Sequence, residues 1–572
     1  MRYLALATDY DGTIAHDGRV DDDTIEALKR IRKSGRRVVL VTGRMLDDLA
    51  SVAPDLALFD LVVAENGALL YDPATHEETV LAPPPPREFV DALRARTIAP
   101  LDVGRAIVAT WHPHETLVIE TIARLGLDLQ VTFNKGAVMV LPPGVNKASG
   151  LLRALEQLEL SPHNVVAVGD AENDLAMLGA CEAAIAVANA LESVKDRCDA
   201  VTQGIRGAGV VELAGRLLED DLASLEPALR RHAVVYGRYG DRERTLAPYG
   251  GTLLVTGSSG GGKSTLTAAV LERLIDRTYQ CCIIDPEGDY EGFYGTVSLG
   301  GADRVPADDE VVAVLATRER SVAVNLLAVP IDERPRHAAA LLASLFTLRA
   351  RTGRPHWIVI DEAHHLFPHD WDAASLLPAD LFNVLLVTVD PRSLAKRVID
   401  ATGTVLAVGD DPMGSVEAVC ACIGSDVPAR LEEGCDGIRW DRDDPARMLP
   451  FAVVPGRAER RRHLRKYAMG ELAPEKSFYF VGPHGRLNLR AKNFQTFADL
   501  ARGVDDETWL YHLRGGDYSR WLRERIGDQE LADELASIEA QASPDARATR
   551  DATIDAIERR YTAPATAAAG SG

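Results

Sequence analysis

Tyr3-Leu4-Ala5-Leu6-Ala7-Thr8-Asp9-Tyr10-Asp11-Gly12-Thr13 opens the chain with an unbroken apolar run that breaks on two carboxylates and a glycine. An apolar run with no alternation is the pattern of a strand buried on both faces, as in a parallel sheet covered by helices. Val38–Val41, Leu61–Ala64 and Val165–Val168 repeat the pattern, each followed by polar turn residues. Thr252–Thr256 repeats it again and runs straight into Gly257-Ser258-Ser259-Gly260-Gly261-Gly262-Lys263-Ser264-Thr265. Twice, then, a buried strand delivers groups suited to handling phosphate.

At 572 residues the chain exceeds one core, and three or four domains are expected. The fold class is α/β multidomain. Residues 1–215 form a Rossmann-like parallel sheet with an α+β insertion at about 70–145, and 216–250 form a charged, helical connector. A P-loop α/β domain spans 251–455, a basic linker 456–471, a small α+β unit 472–541 and a disordered tail 542–572. A net charge of -22 argues against a surface built to neutralise nucleic-acid phosphates, although a local basic groove is compatible with it. No run approaches the ~18 apolar residues of a membrane helix, and the N-terminus enters a strand without leader features, so a cytoplasmic protein with no membrane partner is expected. The seven cysteines are expected to be reduced; Cys420, Cys422 and Cys435 lack a fourth metal ligand at sensible spacing.

A phosphomonoester dianion repels nucleophiles, so its hydrolysis needs a nucleophile, a proton donor and a cation. Asp9 and Asp11 stand two apart at a strand end, where i and i+2 face one way and both reach one phosphorus. Asp9 is the candidate nucleophile, giving an aspartyl phosphate, and Asp11 the acid that protonates the leaving oxygen and then activates water. Thr42, before Gly43-Arg44, offers a hydroxyl and an amide to phosphate oxygens. Lys147 neutralises charge, and Gly169-Asp170-Ala171-Glu172-Asn173-Asp174 supplies carboxylates for Mg²⁺.

These four motifs, in this order, resemble the phosphatase branch of the haloacid dehalogenase superfamily over residues 1 to about 215. The resemblance implies Asp9 and Asp170 as Mg²⁺ ligands with the Asp11 backbone carbonyl, and Asp174 as ligand or support. An insertion between Thr42 and Lys147 is similar to the type-IIB cap of sugar phosphatases, where Glu65-Asn66-Gly67-Ala68 is also typical. A cap that excludes water favours small phosphorylated metabolites over polymer ends. Its polar candidates are Arg105, Trp111, His112, Asn134 and Lys135, each more simply surface or cap packing than a substrate contact.

Gly257, Gly260, Gly261, Gly262, Lys263, Ser264 and Thr265 satisfy G-x-x-x-x-G-K-[ST] between a strand and a helix. Backbone amides and the helix N-terminus cradle the phosphates of ATP, Lys263 reaches the β- and γ-phosphates, and Ser264 ligates Mg²⁺. Trp357-Ile358-Val359-Ile360-Asp361-Glu362-Ala363-His364 delivers Asp361 to the metal shell and Glu362 to the attacking water. With Ile283-Ile284-Asp285-Pro286-Glu287-Gly288-Asp289-Tyr290, these residues resemble the HerA/VirB4 branch of additional-strand P-loop ATPases over about 250–410. The resemblance implies a homo-oligomer formed through this domain. Thr388 or Asp390 stands where a polar sensor is expected; Arg392 and Arg397 are expected to be surface arginines.

The favoured reading joins a Mg²⁺-dependent phosphatase for a small phosphorylated metabolite, of sugar phosphate or phosphoglycolate class, to an ATP-binding and hydrolysing domain. The rival is a DNA-processing HerA-like motor carrying an end-cleaning phosphatase; nucleic acid is not the favoured partner, given the acidic charge. In the third unit, aromatics interleave with Arg486, Arg490, Arg514, Arg520 and Arg523, as expected of a small core with solvated arginines.

Overall fold

The computed structural model describes all residues except 54, 135, 259, 372–376, 378–380, 428–434, 458–471, 473, 527, 542–544 and 562–572. Two compact units result: residues 1–287 with 292–457, and residues 288–291 with the chain beyond 457.

The first unit holds two large sheets. One runs Ala200–Val201, Ala183–Ala186, Val165–Gly169, Ala5–Thr8, Arg37–Val41, Leu61–Ala64, Leu69–Asp72, Glu77–Val80. Its first six strands are parallel, and the last two turn back antiparallel at the edge. The unbroken apolar runs are the reason: Ala5–Ala7, Val38–Val41 and Val165–Val168 are fully buried between helices. The insertion therefore starts later than the expected residue 70. Asp72 caps a turn through the Ala74 amide, which returns the chain along the sheet edge before the cap begins. The cap itself is a four-stranded antiparallel sheet, Gln130–Asn134, Ala137–Leu141, Val108–Trp111, Asp102–Val103, carrying helices Arg87–Ala95 and Glu115–Leu125.

The second sheet runs Arg242–Leu246, Val234–Tyr239, Asp444–Val453, Gly437–Asp441, Thr402–Val408, Thr252–Thr256, Val384–Thr388, Trp357–Ile360, Cys281–Asp285, Ser321–Asn325, Thr296–Gly300. One strand, Val384–Thr388, separates the glycine-loop strand Thr252–Thr256 from Trp357–Ile360, and all three are parallel. The connector expectation is corrected here. Helix ends at Asp220, and Val234–Tyr239 with Arg242–Leu246 form a hairpin on the edge of this sheet. Val234 and Tyr236 turn inward on alternate positions, while the arginines and glutamates that read as helical lie on the solvent side of an edge strand.

The two sheets meet at the N-terminal ends of their strands. The His163 Nδ1 lies 2.8 Å from Glu182 Oε2, and its Nε2 lies 2.7 Å from the Arg277 carbonyl. The Tyr279 hydroxyl donates to Glu182 at 2.6 Å while its ring stacks on His163. The Tyr249 hydroxyl donates to the His163 carbonyl at 3.1 Å, and Arg354 donates to the Glu159 carbonyl at 3.2 Å. Burial alone would raise the Glu182 carboxyl; the His163 bond and the charges of His163, His232 and Arg2 outweigh it and hold the group below the usual range. Each of these residues precedes a strand, so the strand C-termini, where Asp9 and Gly257 lie, point away from the junction.

The second unit packs the hairpin Phe478–Phe480/Leu489–Ala491 against helices Phe494–Gly503, Asp506–Arg514, Gln529–Glu539 and Ala546–Tyr561. Its aromatics form the core: Phe480, Phe497, Trp509 and Trp521 are buried, and Arg520 and Arg523 pair with Asp517 and Asp533. The disordered tail expected from 542 is corrected for Ala546–Tyr561, which is helical and buries Ile554, Ala556 and Ile557. Of the basic run after Gly456, only Arg457 is described; it pairs with Glu272 and Asp276. Lys135 and the chain beyond Tyr561 also lie outside the described residues. All seven cysteines are free thiols.

Candidate active sites

Three strand ends converge at the first site. Asp9 follows Ala5–Thr8, Thr42 follows Arg37–Val41, and Asp170 follows Val165–Gly169. Lys147 opens the helix Lys147–Gln157, whose Asn146 cap and Ser149 form a reciprocal capping box. A cation at a helix N-terminus opposes the macrodipole, so this lysine needs carboxylate partners. It has two: the buried Nζ lies 2.5 Å from Asp9 Oδ1 and 2.5 Å from Asp174 Oδ1. The second Asp174 oxygen accepts from the amides of Asp170 and Ala171 at 2.9 and 3.0 Å. Gly169 is obligatory because a Cβ there would stand 2.7 Å from that side chain.

The carboxylates of Asp9, Asp170 and Asp174 come within 4.8 Å of one another, all buried. Burial, then the Asp174 charge, push the Asp9 carboxyl up to about 7 against the pull of Lys147. Burial alone would lower the Lys147 ammonium; Asp174 and Asp9 more than reverse this and raise it. Among the described residues, the three buried carboxylates outnumber the one ammonium, that of Lys147. An all-oxygen donor set with that surplus fits a hard divalent cation such as Mg²⁺.

Asp11 stands outside this cluster. Its carboxylate is held in a two-point pair by Arg44, Nε to Oδ2 at 2.6 Å and Nη2 to Oδ1 at 2.8 Å, and Arg44 also reaches Asp48. The Thr42 hydroxyl accepts from the Arg44 amide at 3.1 Å, so the same turn fixes both residues. Asn189 donates to the Gly12 carbonyl at 2.8 Å and pins the loop that carries Asp9 and Asp11. The sequence marks Arg44 only as part of the turn after Thr42 and gives Asn189 no signal. Their partners lie 33 and 177 residues away, which no local pattern announces.

Among the cap candidates, Arg105 is drawn down onto the core by Asp47 and Glu78. Trp111 is half exposed and His112 pairs with Glu115. Met139 of the cap lies over the Thr42 turn; its sulfur would lie 3.5 Å from a Cβ at Gly43.

At the second site the glycine loop takes conformations closed to other residues. Gly257, Gly260 and Gly262 have φ of 144°, 81° and 91°, and a Cβ on Gly257 would meet the Val408 carbonyl at 1.9 Å. Gly261 lies against Gly409, and Gly262 caps the helix Lys263–Asp276 that carries Ser264 and Thr265 in its first turn. Lys263 folds back on the loop, donating to the carbonyls of Gly257 and Ser258 at 2.9 and 2.8 Å. Asp361 is fully buried at the end of Trp357–Ile360, and Glu362 follows in a left-handed conformation, φ 40°. His364 Nδ1 lies 3.5 Å from Glu362 and 3.3 Å from the Thr388 hydroxyl, linking Glu362 to the intervening strand. Of the two sensor candidates, Thr388 is the one brought to Glu362; Asp390 instead pairs with Arg392.

Comparison with known proteins finds a match for each of the two domains. A model described as haloacid dehalogenase-like hydrolase matches residues 6–95 and 115–213, and one described as AAA ATPase domain matches 241–387. Phosphoglycolate phosphatase of Methanopyrus kandleri is 32% identical over 228 residues, 97% of that protein and 38% of this chain. That of Methanothermobacter thermautotrophicus is 30% identical over 222 residues, 98% of that protein and 37% of this chain. A solved haloacid dehalogenase-like hydrolase from Bacteroides thetaiotaomicron aligns at 24% identity and a TM-score of 0.33, covering 99% of that protein and 38% of this chain. Through its first 213 residues the chain belongs to the haloacid dehalogenase-like hydrolases, and an AAA ATPase domain follows in the same polypeptide.

Proposed function

We propose that the protein hydrolyses a small phosphomonoester through an aspartyl phosphate on Asp9, and binds and hydrolyses ATP in its second domain. The observation that carries the first half is the junction of Asp9, Lys147, Asp170 and Asp174 in one buried cluster beneath a cap. Asp9 and Asp170, with the Asp11 carbonyl and Asp174 as ligand or support, would hold Mg²⁺, which when bound offsets charge on the phosphoryl oxygens. Asp9 attacks phosphorus as the ester P–O bond breaks, and Asp11 gives its proton to the leaving oxygen. Asp11 then takes a proton from the water that opens the aspartyl phosphate. Thr42 positions the phosphoryl group through its hydroxyl and amide, and Lys147 keeps Asp9 oriented.

For Asp11 to act as an acid, Arg44 has to release it. A substrate bearing a second anionic group gives the guanidinium an alternative partner. Likeness to phosphoglycolate phosphatases across nearly their whole length supports a phosphoglycolate-class substrate, with sugar phosphates next.

In the second domain Lys263 holds the β- and γ-phosphates, Ser264 and Asp361 serve the metal, and Glu362 orients the attacking water. The strand between the glycine-loop strand and the Asp361 strand supports an additional-strand ATPase; a HerA/VirB4 type, a homo-oligomer and a cytoplasmic location are proposed on the resemblance of Asp285–Tyr290 and Asp361–His364 alone. That order also speaks for an ATPase over a nucleotide kinase. The test is hydrolysis of 2-phosphoglycolate, sugar phosphates and a 3′-phosphorylated oligonucleotide by the purified protein, with and without ATP and Mg²⁺. Preference for the small esters is expected; preference for the oligonucleotide would favour the DNA-processing alternative.

A further inference from the structure

The turn Glu65-Asn66-Gly67 is a strained segment beside the first site. All three residues have positive φ, 51°, 54° and 106°, and two of them carry side chains. Such strain persists only where the surroundings over-determine it, and it concentrates where a fold switches or clamps. The surroundings here are the catalytic loops. The Glu65 amide donates to the Arg44 carbonyl at 2.9 Å, and the Asn66 amide to the Thr42 carbonyl at 3.0 Å. Asn66 Oδ1 accepts from Asn173 Nδ2 at 3.4 Å, and Gly67 packs so tightly on the Lys147 helix that a Cβ would meet the Asn146 carbonyl at 2.0 Å.

The fourth partner is the cap. The Glu65 side chain, fully buried, accepts from three successive cap amides: Arg105 at 2.8 Å, Ala106 at 2.9 Å and Ile107 at 3.3 Å. Gly104 precedes them with its backbone pressed on the same carboxylate, since a Cβ there would lie 2.6 Å from Oε1. Arg105 adds surface ion pairs to Asp47 and Glu78. A carboxylate accepting several backbone N–H bonds out of water makes a strong, directional joint, and the cap cannot lift without breaking it.

We propose that Glu65 is the latch that seats the cap: a positioning residue that couples the closed cap to the Thr42, Lys147 and Asn173 loops and thereby restricts the first site to small substrates. The latch rests on the phosphatase function proposed above, but the joint itself can be tested without turnover. Glu65→Gln keeps the shape and turns one acceptor into a donor facing N–H groups. Gly104→Ala leaves Glu65 intact and wedges the joint sterically, which guards against a folding defect peculiar to the first variant.

The experiment is amide hydrogen exchange of the full chain, together with kcat and KM on 2-phosphoglycolate and on a bulky aryl phosphate. Both variants are expected to speed exchange at residues 105–107 by about tenfold or more, the equivalent of one charged hydrogen bond. The preference for the small substrate should narrow by a similar factor, while ATP hydrolysis stays at the wild-type rate. Unchanged exchange at 105–107 in both variants overturns the latch. Faster exchange with an unchanged substrate preference overturns its role in selection. A wild-type protein that hydrolyses neither ester would refute the phosphatase function, and the exchange result would still decide the latch.

Discussion

Replacing Lys147 by methionine removes, among the described residues, the ammonium that the acidic cluster holds, while keeping most of the volume. The side chain is 1% exposed and bonds two carboxylates that are themselves buried. Breaking a buried pair from one side typically costs about 3–5 kcal/mol, because the orphaned charge stays desolvated. At about 2–4 °C per kcal/mol for a domain of this size, the melting temperature should fall by about 6–20 °C in EDTA. A divalent cation then has more uncompensated charge to bind, and one present at 100 times its Kd contributes about 2.7 kcal/mol. The deficit should therefore shrink in Mg²⁺, and adding Asp174→Asn to Lys147→Met should restore part of the loss. Calorimetric melting of wild type, both single variants and the double variant, in EDTA and in Mg²⁺, measures all of this. A fall under about 2 °C in EDTA, or a deficit indifferent to Mg²⁺, refutes the claim that Lys147 balances a cation-binding carboxylate cluster.

Lys263→Ala should weaken ATP binding, whereas Glu362→Gln should retain binding yet stall hydrolysis; wild-type turnover in Glu362→Gln would assign water activation elsewhere. Glu182, held below the usual carboxylate range, contributes stability that is present above the ordinary glutamate value and lost as pH falls through its folded value. The melting advantage of wild type over Glu182→Gln should accordingly decline as pH falls below the ordinary glutamate value of 4.5, and a constant difference would show the junction is not ionic. With a net charge of -22, duplex DNA should leave ATP turnover unchanged at physiological salt. Several-fold stimulation, lost in Lys263→Ala, would promote the DNA-processing alternative.

Both sites were legible wherever chemistry sits next to a buried strand. Asp9, Thr42, Asp170, Gly257 and Asp361 each follow an apolar run, and a parallel sheet gathers such ends on one edge. What escaped had no local signature. The Arg44–Asp11 pair and the Glu65 latch join residues 33 and 40 apart, and the latch meets backbone amides, which carry no side-chain signal. Edge strands misled because one side faces water: Glu77–Val80 and Arg242–Leu246 look polar, and the hairpin at 234–246 passed for a charged helix. In 546–561 the Ala- and Thr-rich texture hid a helical stripe, Thr549, Thr553, Ile554 and Ile557, that is buried in the second unit. The junction of the two sheets depends on residues before strands, such as His163 and Tyr279, whose pairing only the tertiary fold creates.

The most direct test of the account is hydrolysis of 2-phosphoglycolate by wild type and Asp9→Asn, with ATP turnover followed in the same preparations. Asp9→Asn removes the attacking charge and a cation ligand together, so ester hydrolysis should fall by at least ~10³-fold. ATP hydrolysis should persist, because Asp9 and the glycine loop stand at the far ends of two different sheets. Near-normal ester hydrolysis by Asp9→Asn would contradict the account at its centre.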